Sequence, residues 1–189
     1  MNPVTHGLIG WLTANASSQL SRRQRNFITA AAVIPDIDGL GVIPEFLTRG
    51  QADPVDWWSR WHHVVGHNGL VGVLFACLAA GLVRTQRGLT FALVLTAFHL
   101  HILGDLIGGR GAEGETWPLA YFWPFTEAIT LDNPWMWALN AWPNILITII
   151  AMAVTFTLAV RRGYSPVGIF STQGDERFIE TLRQRFQKR

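Results

Sequence analysis

Six histidines, His6, His62, His63, His67, His99 and His101, lie beside or inside strongly apolar segments, and Asp36, Asp38 and Asp105 share those borders. An ionisable side chain near hydrocarbon is costly, so its presence there points to function. Imidazoles mixed with carboxylates are a ligand set for divalent metals. The single cysteine, Cys77, sits in an apolar run, which excludes an intrachain disulfide and any Cys-based zinc motif. Metal ligation in this chain falls to histidine and carboxylate.

Four clusters carry the chemistry. His6 stands in PVTHG near the start. Pro35-Asp36-Ile37-Asp38-Gly39 sets two carboxylates two apart in what reads as a turn. Such a turn suits chelation or bridging of cations, and is equally an ordinary helix end. His62, His63 and His67 fall within six residues. His63 and His67 share a face if that stretch is helical, whereas His62 reaches the site if a loop precedes His67. His101 and Asp105 are spaced i,i+4, which on a helix directs both to one side, as a metal-binding edge or as an ion pair. His99 lies about 200° around that helix from His101 and is expected to make a structural hydrogen bond.

Together these residues are expected to hold two or three divalent ions, zinc first, with manganese or iron also accepted. The candidate ligands are His6, Asp36, Asp38, His62, His67, His101 and Asp105. Such a centre makes hydroxide at neutral pH, so the natural chemistry is hydrolysis of a phosphoester or other ester. Asp38, Asp105 and Arg110 are the candidate catalytic residues, Arg110 through the planar fork that steadies a phosphate. Glu113 and Glu115 are further candidates as general base or extra ligand.

The elements that must position these groups are apolar. The chain has 189 residues, nearly half of them hydrophobic, and nine tryptophans gathered near the ends of apolar runs, as in an interfacial aromatic belt. The pattern predicts an all-α integral membrane bundle of about four to five helices, some short or partial, with two polar loops on one face. Residues 5–20 suit a helix packed in a membrane, 21–26 read as an arginine-rich loop, and 27–35 are too short to span alone. Residues 36–66 and 110–135 read as the polar loops, and 68–83, 88–109 and 137–160 as spans. Residues 1–163 form the expected membrane-embedded domain. Residues 164–189 form an expected basic amphipathic tail, in water or on an anionic lipid surface.

If the apolar segments cross in turn, 21–26, 84–87, 161–163 and the tail share one side. That side carries twelve of the fifteen Lys and Arg but three of the thirteen Asp and Glu. Basic loops stay inside, which sets this side and the C-terminus in the cytoplasm. Every candidate ligand falls on the other side. Charge sorting explains the arginines but not the gathering of the histidines.

At these residues the chain resembles the YdjM-like inner-membrane metal-dependent hydrolases, some described as LexA-regulated. The motifs that carry the likeness are Thr5-His6, Pro35 to Asp38, His62 to His67, His101 to Asp105, and Trp123-Pro124-Phe125, in order over residues 3–125. His63 stands where the family often has Arg, and Gly66 where it has Thr. The resemblance implies His62 with His67 as ligands, a bacterial inner-membrane location and a metal-dependent hydrolase. The His-x-x-x-Asp helix is more distantly similar to one in zinc-dependent phospholipase C and related nucleases, which implies a phosphodiesterase. The expected partners are the membrane and a lipid or lipid-linked substrate, with no nucleic acid. The competing classes are a membrane metal-binding or transport protein without hydrolytic activity, and an interaction protein using its basic tail.

Overall fold

The structure of the chain, a computed structural model, describes residues 1–111 and 114–186. Helix α1 (Pro3–Ala14) starts where Pro3 presets the backbone and the Asn2 side chain accepts from the Thr5 amide at 2.9 Å. Helix α2 (Arg22–Ala31) begins inside the arginine run that reads as a loop in the sequence. Ser21 and Gln24 form a capping box, each satisfying the other's backbone amide. Arginines in a first turn oppose the helix dipole. The tertiary structure compensates: Arg22 donates to Thr172 and the Gly168 carbonyl, and Arg25 lies 4.2 Å over the Tyr164 ring. The expected charged loop is therefore a capped helix start.

Helices α5 (Gly69–Leu82) and α6 (Arg87–Gly108) pack antiparallel beside α1 and α2. The seam is made of small residues, as close helix approach requires. Ala76, Ala79 and Ala97 are fully buried, and a Cβ on Gly72 would stand 2.8 Å from the Phe98 ring. The α1–α2 crossing is tighter. A Cβ on Gly10 would fall 2.5 Å from the Ala32 Cβ and 3.0 Å from the Thr29 carbonyl oxygen. Gly10→Ala is expected to force these helices apart and cost about 1–3 kcal/mol. A fall in the thermal midpoint of the detergent-solubilised protein checks this, and an unchanged midpoint contradicts it.

Residues 36–66, expected as a polar loop, are largely helical up to residue 61. A 3₁₀ helix (Ile34–Gly41) runs into α3 (Val42–Thr48), and α4 (Trp57–Trp61) follows. The difference has a physical source. The carboxylates of Asp36 and Asp38 turn inward, while Ile37, Leu40, Ile43, Phe46 and Leu47 are left exposed. The polarity is inside out, as in a segment that meets lipid. α2 and Ile34–Thr48 together are long and apolar enough for one span, broken by a 48° bend.

Helices α6 and α7 (Trp142–Arg162) are each long and apolar enough to cross a membrane. Their 22 and 21 residues give roughly 30 Å of helix, the thickness of a hydrocarbon core. Ile145, Leu146, Ile149 and Ile150 on α7 remain exposed, leaving an apolar face open. The chain is thus a helical membrane bundle. Five helices, α1, α2, α5, α6 and α7, run between two ends, and three of them are too short to span alone.

One end gathers the basic segments. Gln24 donates to the Thr85 carbonyl, and Arg162 and the Tyr164 hydroxyl both reach Asn15. Gly163, at φ 79°, closes α7. The expected tail forms α8 (Thr172–Phe186), preceded by a 3₁₀ turn (Pro166–Ile169). It packs on the bundle: Ile179 is buried with Trp11 and Ala159, and Asp175 accepts from the Ser165 amide and hydroxyl. At the opposite end Asn144 ties α7 to α6, donating to the Gly108 carbonyl at 2.8 Å. That end holds the histidines.

Candidate metal centre

His101 and Asp105 lie one turn apart on α6, as their spacing requires, with Nε2 of His101 2.9 Å from Oδ2 of Asp105. The 62–68 connection brings His67 in from the side. Its Nε2 lies 3.5 Å from Asp105 Oδ2 and 3.2 Å from His101 Nε2. The 3₁₀ helix delivers Asp36, whose Oδ1 stands 3.7 Å from His101 Nε2 and 4.0 Å from His67 Nε2. One ligand atom from each of Asp36, His67, His101 and Asp105 falls within 4.8 Å of all the others. His67, His101 and Asp105 are buried, and Asp36, with its side chain 20% exposed, is the one opening of the group.

Hydrogen bonds facing outward decide which nitrogens face inward. The Ala32 carbonyl can only accept, so His101 Nδ1, 2.9 Å away, carries the proton. Asp38 Oδ2 likewise takes the Nδ1 proton of His67 at 3.0 Å. Both Nε2 atoms then present lone pairs to one another and to two carboxylates. Such lone pairs repel unless a cation sits between them. Imidazoles oriented by a carbonyl and a carboxylate behind them are the arrangement of metal-binding histidines. Asp36 Oδ2 is buried without a hydrogen-bond partner, a further sign of an electropositive group missing from the protein's own bonding. The donor set fits a divalent ion.

The remaining expected ligands lie around this group. His6 Nε2 is 3.1 Å from the other Asp105 oxygen, Oδ1, and its ring stacks on His101 with centroids 3.8 Å apart. The Met1 amino group also donates to Asp105 Oδ1. Asp38 is committed on both oxygens, to His62 Nδ1 at 2.9 Å, to His67, and to the Gly66 amide at 3.0 Å. A 3₁₀ helix turns about 120° per residue, so Asp36 and Asp38 point in different directions, and Asp38 lies outside the four-residue group. His62 stacks on Trp58 at 3.8 Å, outside the four-residue group. His63 takes a left-handed conformation (φ 65°), with Nδ1 3.1 Å from the Trp117 carbonyl oxygen. The expected i,i+4 face of His63 and His67 does not form, because residues 62–68 are not helical.

Among the described residues one such group is found, and it gathers ligand atoms for one ion. Arg110 follows α6, its backbone paired with Trp137 and Leu139. Among the described residues no hydrogen bond or ion pair joins its side chain to the His–Asp group. Glu113 lies outside the described residues, and Glu115 sits against Gly111, where a Cβ would meet its carboxyl at 2.4 Å. His99 bonds the Leu95 carbonyl and the Tyr121 hydroxyl, the structural role its position on α6 implies.

Residues without a sequence signal complete the centre. The Ala32 carbonyl orients His101, and no residue type announces that. Gly66 is required because a Cβ there would lie 2.1 Å from the Pro35 carbonyl oxygen. This close approach seats the His67 loop on the 3₁₀ helix.

Electrostatics agree with a site built for positive charge. Burial opposes a charge on His67, but its bonds to Asp105 and Asp38 prevail and push it up to about 9. Burial, then the neighbouring His67 and His62, pushes His63 down to about 3. Without metal, a proton on His67 takes the place of the ion. Its folded pKa lies above the unfolded value of 6.5, so this stabilisation is complete below 6.5 and is lost as pH rises through about 9. The thermal midpoint of chelator-treated protein is expected to fall over that window, and added zinc to restore it at the upper end. A midpoint that rises over the same window contradicts this.

Among families of known proteins, the one described as YdjM inner membrane protein matches residues 1–173. No curated protein and no solved structure matches the chain.

Proposed function

The chain belongs to the YdjM inner membrane protein family, and we propose that it is a membrane-bound metal-dependent hydrolase that cleaves a phosphoester of a lipid or lipid-linked substrate. The observation that carries this reading is the buried Asp36–His67–His101–Asp105 group, two imidazole lone pairs facing two carboxylates at one end of an apolar bundle. Two imidazoles and two carboxylates suit zinc, and manganese or iron next. Bound there, the ion supplies Lewis acidity and water activated at neutral pH.

The protein's own residues do the rest. Asp38 and the Ala32 carbonyl hold the two imidazoles in the ligating tautomer, and His6 fixes the rotation of Asp105. Burial of His67, His101 and Asp105 keeps bulk water from three sides, so a substrate enters past Asp36. The basic segments at the far end of the bundle support a cytoplasmic assignment for that end by the positive-inside rule. The metal centre then faces the periplasmic side, at headgroup depth, and the C-terminus is cytoplasmic. Arg110 is retained as a candidate phosphate-binding side chain.

The test is phosphodiesterase activity of detergent-purified protein, with and without chelator. Hydrolysis that vanishes with chelator and returns with zinc is expected. Uptake of labelled metal into vesicles with no hydrolysis contradicts the enzyme and favours a transporter.

A further inference from the structure

We propose that the apolar groove between α1, α2 and the two 3₁₀ turns holds one hydrocarbon chain of the substrate, entered sideways from the bilayer, with the ester end at Asp36. The inference rests on the hydrolase reading for the word substrate. The groove has a volume of about 570 Å³, within the range of ligand pockets. Val4, Gly7 and Leu8 form one wall, and Ala30 and Val33 the other. Ile169 and Phe170 close it at the basic end of the bundle.

Two observations connect the groove to the metal centre. In the 3₁₀ helix Ile34 and Ile37, three apart, both line the groove, and Asp36 sits between them on the adjoining face. Asp36 is also the one member of the metal group open to the outside. On α1, His6 stands beside Gly7 and reaches Asp105 while Gly7 faces the groove. Each wall thus carries a site residue on one face and groove lining on the next.

The occupant follows from where the groove lies. α2 and Ile34–Thr48 together are long and apolar enough for one bent span, and Ala30, Val33, Ile34 and Ile37 along it line the groove. The exposed Ile37 on that span, with Val4 across the groove, then meets acyl chains. A chain moving from bilayer to groove gains no hydrophobic free energy, since both surroundings are equally apolar. Occupancy above that of any lipid-facing surface then reports shape and an anchored headgroup.

Gly7 offers the means to block it. A Cβ there meets only the Val33 Cγ2, at 3.7 Å, an ordinary contact. Gly7→Leu or Gly7→Phe extends a side chain from that position into the groove. The full chain is reconstituted in vesicles of phosphatidylethanolamine and phosphatidylglycerol containing a phosphatidylglycerol with a photoreactive acyl chain, and labelled residues are mapped by mass spectrometry. Enriched labelling at Val33, Ile37 and Phe170 over the lipid-facing Ile149 of α7 is expected. In Gly7→Leu and Gly7→Phe this enrichment is lost. Labelling of the groove no stronger than of Ile149 in the wild-type protein overturns the proposal, and needs no variant to fold. Exclusion of the lipid label with chain-to-chain crosslinks at Phe170 overturns it in favour of a second copy. Labelling requires no turnover. Enriched labelling without hydrolysis refutes the enzyme reading alone, and hydrolysis without enrichment refutes the groove alone.

Discussion

Asp105→Asn is expected to weaken metal binding by more than the roughly 100-fold upper end of what losing an outer partner costs, and to abolish hydrolysis with it. Asp105 is the hub of the centre. Oδ2 lies 2.9 Å from His101 Nε2 and 3.5 Å from His67 Nε2, while Oδ1 takes His6 Nε2 at 3.1 Å and the Met1 amino group. Asparagine keeps the shape but removes a unit of negative charge and replaces one oxygen by a donor. If that nitrogen turns inward, it occupies the place of a ligand. If it turns outward, it faces groups that are themselves donors. Either way the cation loses its strongest partner in a buried setting, where charge is poorly screened. Metal content by mass spectrometry and affinity by competition with a chelator check this. A variant that keeps the ion at wild-type affinity contradicts the assignment of Asp105 as a ligand.

Asp38→Asn separates a ligand from a positioning residue. Asp38 accepts from His62 Nδ1, His67 Nδ1 and the Gly66 amide, at 2.9, 3.0 and 3.0 Å. An asparagine has one acceptor oxygen, so at least one of these donors is left facing an NH₂ group. His67 loses the carboxylate that fixes its tautomer and raises its basicity. The expected result is a 10- to 100-fold fall in affinity for zinc, with the stoichiometry at saturating metal unchanged. Loss of the ion even at saturation returns Asp38 to the ligand role expected from the sequence. Affinity equal to wild type removes it from the centre altogether.

The bundle and most of the centre are legible in the chain because they rest on local periodicity. His101 and Asp105 meet by helical spacing alone, and the charge sorting separates the two ends. What was not legible is tertiary. The capping of Ser21 on Gln24 turns an apparent charged loop into α2. The inward turn of Asp36 and Asp38 makes Ile34–Gly41 look polar in sequence and apolar on its outside. Asp36 and Asp38 divide their roles because the backbone is 3₁₀ and not a turn. His67 reaches the group where Gly66 lets the loop press against Pro35, a contact that depends on residues far apart in the chain.

The most direct test of the account is X-ray absorption at the zinc edge of protein stripped with chelator and reloaded, with His67→Ala as control. The account predicts one ion per chain, bound by two imidazole nitrogens and carboxylate oxygen with no sulfur, and absent from the control. Protein that takes up no ion, or that binds it equally well after His67→Ala, contradicts the central claim.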